Sequence, residues 1–469
     1  PPPPPPPPPP APFFHAVVGF RVLDSCLVGW VMCICEWFRA AQAVEMAQGA
    51  GADEAWASAS QSRDVEFQFR DGALEKVKDT TSRSLNIQVY ADGRYSSHQT
   101  TDMNPDRLEG FVAEAVAITR ALEPDEYREI TPAALFAGRP DDDLDLVDPA
   151  VGAVTREQRL EWCKSLDRVA TDHERVISAT SGIYDGSSEM ASISSNGFSG
   201  SRASTYCWYG SNITLRDQGE KRASDGFYAG NAHVSALPAP SDVARVGLDR
   251  ALARLGSEKG PTVKTTMLVD ARAAGSLVGR LLRAATARNV QQGQSFWEDL
   301  VGEKAFSEKL SIADDPLIPR GFNSRHFDSE GISARYLPIV EDGVVRNLYV
   351  DTYHGRKTGM KPTTGSASNR VIGLGDLSLE QLLAEVGDGV YVTSWLGGNA
   401  DNTTGDFSLG LRGHMIENGK IGRPVGEMNV TGNLKDLFGR LELVGNDVYP
   451  FSSTLSPSLV FGGVDFSGA

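Results

Sequence analysis

Apolar residues recur with a period of two at Val65, Phe67 and Phe69, with polar or charged residues between them, and again at Leu85, Ile87 and Val89. This alternation predicts antiparallel strands with one buried and one wet face. Asp71-Gly72 and Asp92-Gly93 supply the turns that follow. A helical pattern precedes them over residues 38–51, where Ala40, Val44, Met46 and Ala47 fall near one face and Gly49 and Gly51 mark the end. Asn104-Pro105 predicts another helix start, an N-cap followed by proline at the first helical position, with Leu108, Phe111, Val112 and Ala115 as its buried stripe. Thr155 to Gln158 forms a capping box, and Leu160, Cys163, Leu166 and Val169 line the inner face of the helix behind it.

From residue 176 to 237 the pattern is β-rich, with a hairpin at Asn196-Gly197 and an aromatic strand at Tyr206 to Tyr209. Ser241 is expected to cap a further helix, with Val243, Val246, Leu252 and Leu255 facing inwards. A third unit begins with a strand over 265–269 and a helix from Ala271 to about Asn289. Strands over 332–340 and 344–351 flank the Asp342-Gly343 turn, and the short strands and glycine turns from there to Phe466 predict a twisted, partly closed β architecture. The fold class is therefore α+β: N-terminal α/β units with antiparallel strands, then a β-rich C-terminal domain. The expected divisions are a Pro-rich, apolar extension (1–35) outside the fold, an N-terminal α+β domain (36–152), a central α+β segment (153–259) that packs with the first or stands apart, and a C-terminal β-rich domain (260–469).

The chain has 469 residues with ordinary globular composition, 41% hydrophobic and 23% charged. A formal net charge of −16 repels phosphate backbones, and no cluster of basic and aromatic residues offsets it, which argues against nucleic-acid binding. Five scattered cysteines make no disulfide framework and fit a reducing cytoplasm. Cys33 and Cys35 lack the second pair of a zinc site and read as apolar filler. Ten prolines open the chain. The apolar stretch behind them is interrupted by Arg21, Asp24 and Glu36, so its longest uncharged run falls short of the ~20 residues that span a bilayer. No membrane segment and no signal peptide is expected. The acidic run Asp141 to Asp145 lacks the glycine and terminal glutamate of a calcium loop and reads as a solvated linker.

The glycine-rich C-terminal blocks carry the most specific information. An apolar run ending at Trp395-Leu396 stops at Gly397-Gly398-Asn399. Asn402-Thr403-Thr404-Gly405 follow, and Asp406 to Leu411 then alternates like a strand. Glu417-Asn418-Gly419, Pro424-Val425, Gly432-Asn433-Leu434 and Gly445-Asn446-Asp447 complete an ordered set. Together these blocks resemble the TldD/PmbA family, in its PmbA (TldE) branch, from about Trp37 to the end of the chain. The catalytic branch of that family carries a His-Glu-x-x-x-His zinc motif on the helix of the third unit, with a cysteine near the C-terminus as the third protein ligand. At the matching positions this chain has Gly279, Arg280 and Ala284, and residues 445–454 contain no cysteine. The seven histidines include no pair at helical ligand spacing, and Asp314-Asp315 and Asp328/Glu330 are acids of a kind common in turns.

The resemblance thus implies a cytoplasmic metalloprotease complex that degrades small unfolded polypeptides or trims peptide precursors. Within it this chain is the non-catalytic subunit with no cofactor of its own, and zinc sits in a TldD-like partner. Its expected associations are that partner in a heterodimer, or a second copy in a homodimer, and a peptide substrate. Asn399, Thr404, Gly405, Asp406, Phe407 and Ser408 are the candidate peptide-contacting residues, through strand addition at a glycine-rich edge. Two alternatives stay open: a stand-alone homodimeric peptide-binding or scaffold protein, and a peptidase with an unfamiliar site.

Overall fold

The computed structural model describes residues 32–468, with side chains from residue 35. The Pro-rich stretch, His15 and Cys26 lie outside the described residues, as does the side chain of Cys33. Cys35 is disulfide-bonded, so the reading of it as filler is corrected, whereas Cys163 and Cys207 are buried free thiols.

Six strands form one antiparallel sheet across the N-terminal half: β1 (Glu54–Arg70), β2 (Ala73–Ala91), β3 (Arg94–Thr100), β4 (Val176–Ser194), β5 (Ser199–Arg216) and β6 (Arg222–Asn231), in the order β3-β2-β1-β4-β5-β6. The alternation seen at Val65, Phe67 and Phe69 resumes at the other end of β1, where Ala55, Ala57 and Ala59 are buried on the same face, with Gln61 and Arg63 between the two stretches. At one end of that face, α1 (Met32–Gly49) and α2 (Pro105–Arg120) cover the alanines with Leu85, Ile87 and Val89 of β2. At the other end, beyond the short α3 (Pro149–Ala153), lie α4 (Arg156–Thr171) and α5 (Pro240–Leu252). They cover Phe67, Ile183 and Tyr209. The N-cap predictions hold for α2 and α4: Asn104 accepts from Asp106 N and Thr155 from Gln158 N, which is the first half of the expected capping box. For α5 they do not. The N-cap is Ala239 with Pro240 at the first helical position, Ser241 makes no cap, and Val246 is exposed.

The opposite face of the sheet is wet. Its serines pair across strands, Ser58 with Ser192 at 2.7 Å and Ser60 with Ser84 at 2.9 Å. At its margin an aromatic group, Trp56, Phe198 and Phe327, seals it against the C-terminal half, and Trp208 of β5 stacks on Phe322 at 5.0 Å.

In the C-terminal half, β7 (Glu258–Lys259) leads into β8 (Val263–Val269) and α6 (Ala271–Arg283). The predicted long helix breaks at residues 284–286, where Thr286 accepts from Asn289 N and starts α7 (Ala287–Gln291). A five-stranded sheet follows: β9 (Ile312–Asp315), β10 (Leu337–Glu341), β11 (Val344–Val345), β12 (Asn369–Ile372) and, later in the chain, β17 (Thr454–Leu455). The strands expected over 332–340 and 344–351 are thus shorter, and α8 (Thr352–Thr358) follows the second. After α9 (Leu379–Val386) come β13 (Gly389–Ala400), β14 (Asp406–Glu417), β15 (Lys420–Asn433), α10 (Leu434–Gly439), β16 (Leu441–Val444) and β18 (Leu459–Gly468). Strands β18-β8-β13-β14-β15 form a barrel, and pairing of Met428 to Val430 with Phe466 to Gly468 closes it. Its inward residues share one core with α6, whose Leu277, Val278, Leu281 and Leu282 are fully or almost fully buried.

Residues 121–148 contain one short 3-10 turn and otherwise run irregularly between the two halves. Asp141 to Asp143 are exposed as the linker reading expects, but Leu144 is buried and Asp145 pairs with Arg320 at 2.6 Å.

Candidate functional site

Helix α6 starts from Asp270, which caps it by accepting from Arg272 N at 3.0 Å and is itself bound by the Tyr391 hydroxyl. Its buried stripe faces the barrel core, and Gly279 and Arg280 fall on its last turn, with Ala284 as the C-cap. A Cβ at Gly279 would lie 3.7 Å from Nη1 of Arg370, which comes from β12. The Nε atoms of Arg280 and Arg370 are buried without a hydrogen-bond partner. Burial, and then the neighbouring Arg283, lower the pKa of Arg280.

The donor set there is two arginines, a glycine and an alanine. In the C-terminal loop Asp447 is spent on Ser458, accepting from its N at 2.9 Å and its Oγ at 2.7 Å. These residues do not fit a zinc ion: none offers a free lone pair, and guanidinium charges repel a dication. Among the described residues no three His, Cys, Asp or Glu side chains are placed to share a metal. The six described histidines each have a hydrogen-bond partner, His326 on Asp142 O at 2.7 Å and His354 on Asp351 at 2.6 Å among them.

The acids singled out in the sequence serve loops. Asp328 accepts from Glu330 N, Ile332 N, the Thr364 hydroxyl and Gly365 N, all at 2.9–3.0 Å. Glu330 accepts from N and Oγ1 of Thr352, both at 2.8 Å, and burial pushes its carboxyl up to about 7. Asp314 is buried and accepts from Ser368 N and the Tyr349 hydroxyl; burial raises its pKa as well.

The six candidate peptide contacts come together at the tip of the β13–β14 hairpin. Asn399 pairs with Ser408 and Ala400 with Phe407 in the ladder. Gly405 has φ +83°, a backbone conformation that favours glycine at the turn. Asp406 accepts from the Thr404 hydroxyl and from Asn433 Nδ2, each at 3.0 Å, and Asn433 first, then Thr404, hold its carboxyl below the usual range. Phe407 is buried, while Asn399, Thr404, Asp406 and Ser408 are exposed. The polar groups at the tip therefore largely satisfy one another. The backbone beside them is different. Strand β8 pairs with β13 only over Gly389 to Val392, which leaves the outer edge of residues 393–400 without a strand neighbour among the described residues.

What sequence reasoning missed is the wall of the cleft between the two halves. Arg202, Phe322 and Arg325 line it, and no periodicity or motif marks them.

Comparison with known proteins matches this arrangement along nearly its whole length. Residues 57–119 match domain 1 of the PmbA/TldA metallopeptidases, 149–255 the central domain, and 262–468 the C-terminal domain. The metalloprotease PmbA of Escherichia coli O157:H7 is 30% identical over 91% of this chain and 94% of its own. A Bacteroides thetaiotaomicron structure described as a modulator of DNA gyrase superposes with a TM-score of 0.89 at 34% identity, covering 92% of this chain and 98% of that one. TldE of Thermococcus kodakarensis shares the fold, with a TM-score of 0.81 at 17% identity over 92% of this chain and 100% of its own. With three consecutive domains matched in order and a relative aligned almost end to end, this chain belongs to the PmbA/TldD metallopeptidase family.

Proposed function

We propose that this chain is the metal-free, non-catalytic subunit of a TldD–TldE-type metalloprotease, acting in the cytoplasm on small unfolded polypeptides or peptide precursors. One observation carries the reading. The end of α6, where the catalytic branch of the family would present its ligands, is filled by the Arg280 and Arg370 guanidinium groups beside a side-chain-free Gly279. A residue set of that kind binds no divalent cation and activates no water. The partner subunit then supplies the zinc, and this chain supplies part of the chamber wall, for which the serine-lined sheet face is a suitable surface.

The free edge of β13 suits an extended peptide, because its main-chain groups are open to strand addition and Gly397 and Gly398 present no side chains to obstruct it. Among the described residues no helix is long and apolar enough to cross a membrane. The net charge of −16 speaks against DNA as the substrate.

The test is reconstitution. The purified chain should hold far less than one zinc per molecule and leave an unstructured peptide intact. Mixed with a family member that carries the His-Glu-x-x-x-His motif, it should form a stable complex that cleaves. Robust cleavage by the isolated chain sinks the proposal, and failure to associate with such a relative favours the homodimeric binding protein.

A further inference from the structure

The cleft between the halves holds a cavity of about 430 Å³, within the size range of ligand sites. Its floor is the wet face of β4 and β5, with Ser188 and Ser204, and its far wall is the loop over residues 320–325. Three arginines reach it. Arg320 is neutralised by Asp145 at 2.6 Å. Arg202 and Arg325 form no ion pair among the described residues: Arg202 lies 5.1 Å from the Phe327 ring centroid, and Arg325 donates to Thr364 and Ser366, all uncharged acceptors.

Arg202 is largely desolvated, and Arg325 is the nearest like charge acting on it. The carboxylates within range are already engaged: Asp328, near Arg202, by its four donors, and Asp314, near Arg325, by Ser368 N and the Tyr349 hydroxyl. Two guanidinium groups thus line one cleft with the Ser188 and Ser204 hydroxyls, and the carboxylates near them are committed to other donors. The rest of the lining is mixed: Thr205, Tyr206 and Asn323 are polar, and an apolar stretch is made by Phe322, stacked on Trp208 at 5.0 Å, with Met190 and Leu146.

We propose that this cavity binds the terminal carboxylate of a peptide whose last side chain is apolar, with Arg202 and Arg325 holding the carboxylate and the Phe322 wall taking the side chain. An arginine fork matches a carboxylate in plane and number of donors. The adjoining apolar wall would be wasted on a bare inorganic anion. That the occupant is a peptide rests on the function proposed above; that the cavity takes an anion does not. The site is separate from the β13 edge, so a chain added at that edge and a terminus held here would be two independent contacts.

The test is calorimetric titration of the full chain with N-acetyl-Ala-Ala-Leu, with its C-terminal amide, and with inorganic phosphate. The free acid should bind one per chain, with the amide and phosphate at least about ten-fold weaker, the scale expected for losing charge-assisted hydrogen bonds. Arg202→Gln should bring the acid down to the level of the amide while leaving the amide unchanged. A second variant, Ser204→Asp, places a carboxylate inside the cavity. It should abolish binding of the acid and raise the thermal midpoint of the free protein, which shows that it folds. Equal affinity for acid and amide, phosphate binding as tightly as the peptide acid, or no binding of any probe overturns the proposal. Because neither cleavage nor partner association is read here, a failure of this site is distinguishable from a failure of the reconstituted complex.

Discussion

Arg159 and Asp185 place a charge pair in the sheet-helix core, each nearly fully buried, with both guanidinium nitrogens facing one carboxylate at 2.5–2.6 Å and a third donating to Val154 O. Removing one member strands the other without water. Arg159→Met is therefore expected to destabilise by about 3–5 kcal/mol, and adding Asp185→Leu should recover most of that loss. Urea denaturation of the single and double variants checks it; a double variant no better than the single would show that helix packing, not charge burial, sets the cost. Glu330 gives a pH-dependent counterpart. Its folded pKa of about 7 lies above the ordinary 4.5, so between those values the folded state keeps a proton that the unfolded chain releases. Stability from this group is full below about pH 4.5, falls as pH rises through about 7, and stays lost above. In Glu330→Gln the thermal midpoint should fall less between pH 5 and pH 8 (roughly the window of this titration) and should exceed the wild-type value at the upper end. Parallel profiles for the two proteins would contradict the assignment.

At the scale of elements, the β13–β14 tip shows how one side chain can organise a turn. Asn433 caps α10 by accepting from Lys435 N and also donates to Thr404 O and Asp406. Asn433→Ala should thus cost about 1 kcal/mol, in the range of a lost helix cap. Asp406→Ala should leave the thermal midpoint closer to wild type and mainly speed amide exchange at Thr404 and Gly405. If Asp406→Ala also lowers cleavage by an intact complex, the tip touches peptide; unchanged cleavage confines its role to the turn. Elements were legible in the sequence where burial is one-sided. Val65, Phe67 and Phe69 announce β1 because helices cover that face alone. Residues 73–83 of β2 are exposed on both faces and so carry no period, although they pair with β1 apart from one bulge. The end of α6 was illegible for the opposite reason. Ala284, Ala285 and Ala287 are all buried and helix-compatible, and the break comes from contacts with Tyr349, whose backbone bonds to Ala285 and Ala287. Of the candidate site, Gly279, Arg280 and Ala284 could be singled out from the sequence through the family resemblance. Arg202 could not, since its meaning depends on a loop that lies more than a hundred residues later.

The whole molecule is held together by backbone more than by a shared apolar core. The principal buried clusters belong to one half or the other, apart from the small group of Trp56, Phe198 and Phe327 and the contacts of Phe227 with Tyr449 and Phe451. Across the remaining boundary, residues 121–148 offer carbonyl groups that the C-terminal half binds. Arg356 donates to Tyr127 O, Glu129 O and Ile130 O at 3.1–3.2 Å, Ser333 Oγ to Phe136 O at 2.8 Å, and Arg320 N to Leu144 O at 2.7 Å. A carbonyl left without its donor at such a boundary either takes up water or pulls the segment away. Arg356→Ala should therefore act on coupling between the halves more than on either core, at a cost of about 2–3 kcal/mol, given that hydrogen bonds from a charged donor to one segment are not additive. Calorimetry should show one transition for the wild type and two overlapping ones for the variant, and limited proteolysis should cut within residues 121–148 faster than in wild type. One unchanged transition together with unchanged cutting would mean that the halves are coupled through the aromatic group and the sheet margin instead, leaving the segment a passive connection.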